Sequence, residues 1–320
     1  MSDGADTPPV AADRVDLVTT QLPPVLPSYL AALLPRASDI SSASKLPTIR
    51  TTWRQATFEK PHVDKYRALC SLSMPSSDDE TIVPICYPHS FLGPLHLHVM
   101  THRAFPLGIL GCVHIRNHIV QHRPLRVGVP YDIALAFGTG RRRPQGVEVD
   151  LLTRIEADGA VVWQSVTTIF IRTRKVRSTD PDTIDPESPL AASVGSRIAG
   201  NTVPAGDFPV PADTGKAFGW LTKDINPIHM SAHAARLFGF QRDLVHGMWA
   251  LARALPLLTG VDMGASVRLD CWFKGPIYME RDVRVVRAGG AFEMYSGQNP
   301  RPSVVGRIAN IETKGPLSRL

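Results

Sequence analysis

Two pieces of the chain decide how the rest is read: Trp220-Leu221-Thr222-Lys223-Asp224-Ile225-Asn226-Pro227-Ile228-His229, and then Val245-His246-Gly247-Met248. Pro227 fixes its own φ and pushes Asn226 out of the α region, so the backbone bends between Asp224 and His229. A bent connection aims a carboxylate and an imidazole into one space, which a straight helix or strand would not do at this spacing. Such a pair is suited to general acid–base work on a shared water. Ser231 fits the N-cap of a helix over residues 232–238, with Gly239 as its C′ residue. His246-Gly247 then opens the apolar stretch 248–258. Free N–H groups at a helix start bind developing negative charge on an oxygen, and glycine there lets a ligand approach closely. The bland alternative is a turn: Asp-x-Asn-Pro is common turn chemistry, and for Asp224 alone that reading comes first. The full string is much harder to obtain from turn chemistry.

That string, residues 218–240 with 244–248, resembles the signature of the MaoC-like hydratases and dehydratases. These comprise the (R)-specific enoyl-thioester hydratases and the 3-hydroxyacyl-thioester dehydratases. Asp224, Asn226, Pro227, His229, Ala235, Gly239, Phe240, His246, Gly247 and Met248 all fall in place. Two departures are visible. Thr222-Lys223 stands where the family often has Ser-Gly, and Ala254-Leu255 stands where some members carry a serine near the catalytic water.

The resemblance implies an α+β double hotdog, two antiparallel sheets each wrapped around a long central helix. It also implies an acyl thioester substrate, on coenzyme A or acyl carrier protein. Asp224 and His229 would activate water for addition to C3 of a trans-2-enoyl thioester, and the Gly247 N–H would polarise the thioester carbonyl. The reverse reaction removes water from an (R)-3-hydroxyacyl thioester. Asn226, His246, Trp220, Met248, Arg268 and Lys274 are the expected substrate-binding residues; no metal and no other cofactor is expected. The rivals are a hotdog acyl-thioesterase, sharing fold and substrate class, and a catalytically silent acyl-thioester-binding protein. The missing polar residue at 255 favours the latter, and the intact Asp224/His229 pair opposes it.

The 320 residues can bury a large core, and 43% hydrophobic with 20% charged residues is a globular composition. A first stretch without an apolar core, and no apolar run long enough for a bilayer, lead to the expectation of a cytoplasmic protein without a membrane span. Cys70, Cys86, Cys112 and Cys271 have no metal or redox spacing and read as reduced thiols. A formal charge of +6 raises nucleic acid as a partner. However, Arg141-Arg142-Arg143 sits between Gly140 and Pro144 with no aromatic beside it, so a solvated hairpin tip is expected and nucleic acid is not. Arg268, Lys274 and Arg284 are candidates for attracting coenzyme A phosphates or an acidic carrier protein. Seven histidines (89, 96, 98, 102, 114, 118 and 122) crowd the first half. Without a nearby cysteine pair or carboxylate cluster, a metal site is disfavoured, and His96, His98 and His102 are expected to be partly buried or solvated helix residues.

The chain also looks duplicated. In the first half His89 precedes an apolar helix at 90–101, and strands are expected at 111–119, 131–137, 146–156 and 160–172. In the second, His246 precedes a helix, and strands follow at 266–274, 282–288, 292–297 and 303–311. The expected division is an N-terminal extension at 1–45, partly disordered in 1–13, and a non-catalytic hotdog at 46–177. A linker at 178–205 and a catalytic hotdog at 206–320 follow. Residues 22–34 could pack as a short helix over the first domain or line the acyl site. Two hotdogs joined edge to edge protect the strand edges that each would expose alone, as a monomer or a homodimer.

Overall fold

In the computed structural model, which describes residues 14–34, 36, 46–73, 81–172, 198 and 201–312, the two halves have the same topology. The first half contributes β2 (Thr48–Ala56), α2 (Lys60–Leu69), α3 (Tyr87–Phe91), α4 (Gly93–Thr101), β3 (Val113–Gln121), β4 (Tyr131–Arg143), β5 (Gly146–Ala157) and β6 (Ala160–Arg172). The second contributes β7 (Val203–Pro209), α5 (Thr214–Thr222), α6 (Pro227–Met230), α7 (Ala232–Leu237), α8 (Gly247–Ala254), β8 (Val267–Phe273), β9 (Asp282–Ala288), β10 (Ala291–Ser296) and β11 (Val304–Asn310). Strands β2, β4, β5, β6 and β3 lie side by side in that order. They meet β8, β11, β10, β9 and β7, the mirror-image sequence of equivalent strands. Each half is a hotdog, and the chain is a double hotdog.

The sheets of the halves run into one, because β3 pairs antiparallel with β8 from Arg116↔Trp272 to Gln121↔Val267. That junction hides one edge of each half. It is reinforced by His118, whose Nδ1 lies 2.6 Å from Asp270, and by Arg268, which donates to the same carboxylate at 2.9 Å. An equivalent bond marks the segment before each central helix. Val83 N–H donates to Leu125 O at 2.8 Å, and Val245 N–H to Ile277 O at 2.9 Å. One apolar core runs through both halves, from Ile49 and Leu95 to Leu251 and Val285.

The central helices are shorter than the long uninterrupted ones expected, and prolines explain why. Pro94 has no N–H to give the Ser90 carbonyl and its ring crowds that oxygen, so the first half's helix is broken at Leu92 into α3 and α4. Pro256 lacks an N–H to continue α8, which tightens into a 3-10 turn at Leu255–Leu257. The strands foreseen after each helix are all present. β7 begins at Val203, so the last three positions of the expected linker are strand; most of that linker, and residues 1–13, lie outside the described residues.

The N-terminal extension is ordered over much of its length. β1 (Arg14–Thr19) adds to the sheet edge parallel to β2, and α1 (Val25–Leu33) packs on α4. Arg36 donates to the carbonyls of Thr101, His102 and Phe105, capping the C-terminal end of α4. The arginine run is a correction. Arg141, Arg142 and Arg143 are not a solvated tip but the last three residues of β4, the turn falling at Pro144-Gln145. Arg141 and Arg143 pair with Glu148 at 3.0 and 2.9 Å, Arg116 pairs with the same carboxylate, and Arg141 also holds Asp150 at 2.7 Å. Burial alone would raise the Glu148 carboxyl, but these arginines hold it down at about 2.

Candidate active site

Helix α5 ends because Lys223 adopts φ 63°, the left-handed conformation that turns the chain out into Asp224. Thr222 Oγ1 donates to Phe218 O at 2.8 Å, tying its own side chain to the last helical turn. Asn226 N–H then donates to Asp224 Oδ1 at 3.3 Å, and Asn226 Oδ1 accepts from Ile228 N–H at 3.4 Å. These two turns of side-chain chemistry, with Pro227 at the first position of α6, bring His229 back toward Asp224. Ser231 Oγ caps α7, and Gly239 at φ 87° ends it as the spacing predicts.

Two glycines allow the close packing. A Cβ on Gly219 would stand 2.7 Å from the Asp224 carbonyl, so only glycine lets α5 lie against this loop. A Cβ on Gly247 would stand 2.6 Å from the Phe273 ring.

The rings of His229 and His246 stack at 3.7 Å between centroids and 27° between planes. His229 Nδ1–H donates to Leu244 O at 2.7 Å, which fixes the tautomer and leaves the Nε2 lone pair. His246 Nε2–H donates to the Asp224 carbonyl at 3.0 Å and lies 3.6 Å from its carboxylate. Burial, with His246 adjacent, pushes His229 down to about 3, so the ring is neutral near pH 7. Burial alone would raise the Asp224 carboxyl, but His246, His229 and the Asn226 N–H hold it below the usual carboxylate range. The site at neutral pH is therefore a carboxylate and a neutral imidazole, both proton acceptors.

Among the described residues, Asp224, His229 and His246 offer three ligand atoms within 4.8 Å of one another. One nitrogen of His229 is committed to Leu244, and His246 presents its protonated nitrogen to Asp224. That leaves one carboxylate and one imidazole nitrogen, a set fitted to a water's two hydrogens more than to a cation's shell.

A cavity of about 640 Å³ connects these groups with the first half. Asp224, Asn226, His229, Gly247 and Lys274 line it. Asp224 keeps 47% of its side-chain surface accessible there. Gly247 opens α8, and its N–H takes no hydrogen bond among the described residues. Four expected binding residues, Trp220, Met248, Arg268 and His246, do not line the cavity. Trp220 is 60% exposed on the outer face of α5, Met248 is buried beneath α8, and Arg268 is held at the sheet junction by Asp270. His246 acts on Asp224 from behind. Ala254 is fully buried, and neither it nor Leu255 lines the cavity.

Sequence reasoning missed Tyr29. Its hydroxyl accepts from Ile225 N–H at 2.8 Å and donates to Lys223 O at 3.2 Å, bracing both sides of Asp224 from α1. A single tyrosine in an extension carries no pattern that would reveal this. The question left open about residues 22–34 is answered both ways: α1 packs on α4, and Tyr29, Leu30 and Leu33 line the cavity.

Residues 194–289, which hold the whole constellation from Asp224 to Gly247, match the family model described as a MaoC like domain. Over that stretch the chain is similar to MaoC like domains. It is 27% identical over 233 residues to 3-hydroxyacyl-thioester dehydratase X of Mycobacterium tuberculosis, covering 72% of this chain and 78% of that protein. The crystal structure of HtdX from the same organism superposes with a TM-score of 0.65 at 22% identity, covering 82% of this chain and all of that one. A MaoC-like dehydratase from Phytophthora capsici gives a TM-score of 0.63 at 16% identity, covering 86% of this chain and 98% of that one. A further M. tuberculosis structure described as a double hotdog gives 0.54 at 14% identity, covering 86% and 97%. These superpositions bear on the fold alone.

Proposed function

We propose that this protein is a hydro-lyase that adds water to trans-2-enoyl thioesters and, in reverse, dehydrates (R)-3-hydroxyacyl thioesters of fatty acid metabolism. The observation that carries the proposal is the pairing of an ionised Asp224 with a neutral His229, its Nε2 free, in a cavity opening onto the free N–H of Gly247. A water donating one hydrogen to each of Asp224 and His229 turns a lone pair toward C3. As the C3–O bond forms, the C2=C3 electron pair moves toward the thioester carbonyl. The N–H of Gly247, at the positive end of α8, stabilises the resulting enolate oxygen. The proton taken from water by the pair is then delivered to C2, so the site ends as it began. Asn226 holds the loop, His246 steadies Asp224, and Lys274 lies at the cavity wall for the phosphates of coenzyme A or a carrier protein's acidic face.

In this scheme residues 206–320 are the catalytic hotdog and 46–177 the supporting one. Asp224→Asn and His229→Gln are each expected to lower kcat for crotonyl-CoA hydration by about 10²–10⁴-fold with unchanged melting temperature. Parent-like turnover in both variants sinks the assignment. Free coenzyme A appearing in a thiol assay in place of the hydroxyacyl product would instead establish the thioesterase reading.

A further inference from the structure

The wall of the cavity built by the first half includes His89, His96 and His114. The imidazoles form a row: His89 stacks on His114 at 4.9 Å and 29°, and His96 follows at 5.2 Å from His89. His114 in turn touches Phe273 at 4.8 Å, the ring that packs on Gly247. The row thus leads away from the carbonyl-binding glycine along the path an acyl chain would take.

Each ring is held on one side only. His114 Nε2–H donates to Arg116 O at 2.8 Å, so its Nδ1 carries a lone pair. Thr167 Oγ1 lies 3.1 Å from His89 Nδ1, so His89 is likewise engaged through one nitrogen. Asn117 Nδ2 lies 3.2 Å from His89 Nδ1 and 3.3 Å from His114 Nε2, which places the committed nitrogens of both rings on one side. His96 Nε2 meets Thr153 Oγ1 at 3.2 Å. The opposite nitrogens, His89 Nε2, His114 Nδ1 and His96 Nδ1, have no hydrogen-bond partner among the described residues. All three rings are held neutral by burial, His96 down to about 3 and His114 to about 4.

A site for a plain alkyl chain has no use for this arrangement. A methylene group against two unpaired ring nitrogens would leave each unsatisfied, at about 1–3 kcal/mol apiece. A ketone has no proton to give and leaves the His114 acceptor orphaned. A hydroxyl group donates to His114 Nδ1, and its oxygen accepts from His89 Nε2 when that nitrogen carries the proton. We propose that the N-terminal end of the cavity is a hydroxyl-binding subsite. Its ligands are acyl thioesters that carry a hydroxyl on the chain beyond the reacting carbons. The subsite's role in turnover rests on the hydratase reading, but its binding chemistry does not.

The test uses calorimetry on the whole protein with saturated acyl-CoA thioesters of one chain length, which cannot react. In them a hydroxyl is walked one carbon at a time from C4 outward, C3 being left plain because a 3-hydroxyl belongs to the proposed reaction itself. One position is expected to bind at least about tenfold tighter than the unsubstituted chain and than the matching ketone. In His114→Phe the ratio is expected to collapse toward one. The proposal is overturned if no hydroxylated chain outbinds its alkyl counterpart, or if the preference survives in His114→Phe. Should that variant not fold, the parent protein's binding series decides alone. Absence of crotonyl-CoA hydration alongside a clear hydroxyl preference would fault the assigned reaction and not the subsite.

Discussion

The two halves share strand order, helix placement and even the hydrogen bond that enters the central helix, yet they spend their buried charge on opposite tasks. In the first half, Arg116, Arg141 and Arg143 close on Glu148, with Asp150 completing the network. Every charge there has its partner in the protein. In the second, Asp224 is left 47% accessible in a cavity beside two neutral imidazoles. Duplication of a fold therefore does not duplicate a site. A closed ion network ties one half together, and an open carboxylate leaves the other with the group proposed to carry the chemistry.

The largest effect that would break this comparison is on stability. Glu148→Gln leaves three nearly buried guanidinium groups without their shared counter-charge, and breaking such a pair costs about 3–5 kcal/mol. A clear fall in melting temperature is expected, with crotonyl-CoA turnover per folded molecule little changed. Turnover falling in step with Glu148 removal would show the halves to be catalytically coupled.

Glycines at the starts of α8 and α4 give a paired test. Gly247→Ala pushes a methyl into the Phe273 ring and shifts the N–H proposed to bind the thioester oxygen. A loss of about a hundredfold in kcat is expected, as for removal of an oxyanion donor. Gly93→Ala opens the equivalent helix of the other half, where the added methyl meets only the Thr222 carbonyl at 3.3 Å. A change of no more than about twofold is expected there. Equal losses would mean that packing, not position, explains the first.

Tyr29 sharpens the contrast from outside either hotdog. Tyr29→Phe keeps the ring in the cavity wall and removes the hydroxyl bracing Lys223 and Ile225. Losing these bonds, at about 1 kcal/mol or somewhat more, predicts a fall of about tenfold in kcat with KM little altered. A rise in KM alone would make Tyr29 part of the acyl wall and not a brace.

How much of this was legible in the sequence follows the same division. The strands after each central helix declare themselves by alternation, and the catalytic loop by Asp224-x-Asn226-Pro227-x-His229. β7 does not, because Val203–Pro209 holds two prolines and a glycine and lies at a sheet edge, where a strand needs little propensity. The arginine run misled because Gly140 and Pro144 flank it. The signal that could have corrected it is Glu148, opposite Arg141 in a hairpin of this register. The histidine crowding was visible, but not its convergence. His89 comes from α3, His96 from α4 and His114 from β3, and only packing brings them together. His118, on the same strand as His114, turns instead to Asp270.

The smallest effect tests the loop itself. Lys223 occupies a left-handed position with φ 63°, where the family often has glycine, and a side chain there costs about 1 kcal/mol. The carbonyl of this residue is held by Tyr29, so the conformation is imposed from both the helix end and the brace. Lys223→Gly relieves the strain without changing the backbone, at the expense of a floppier unfolded chain. The net gain expected is a few tenths of a kcal/mol to about 1 kcal/mol, read as a small rise in melting temperature. In a Tyr29→Phe background the brace is gone and the strained residue is free to relax, so the same substitution should gain less. Identical gains in both backgrounds would show that the helix end alone sets the turn into Asp224.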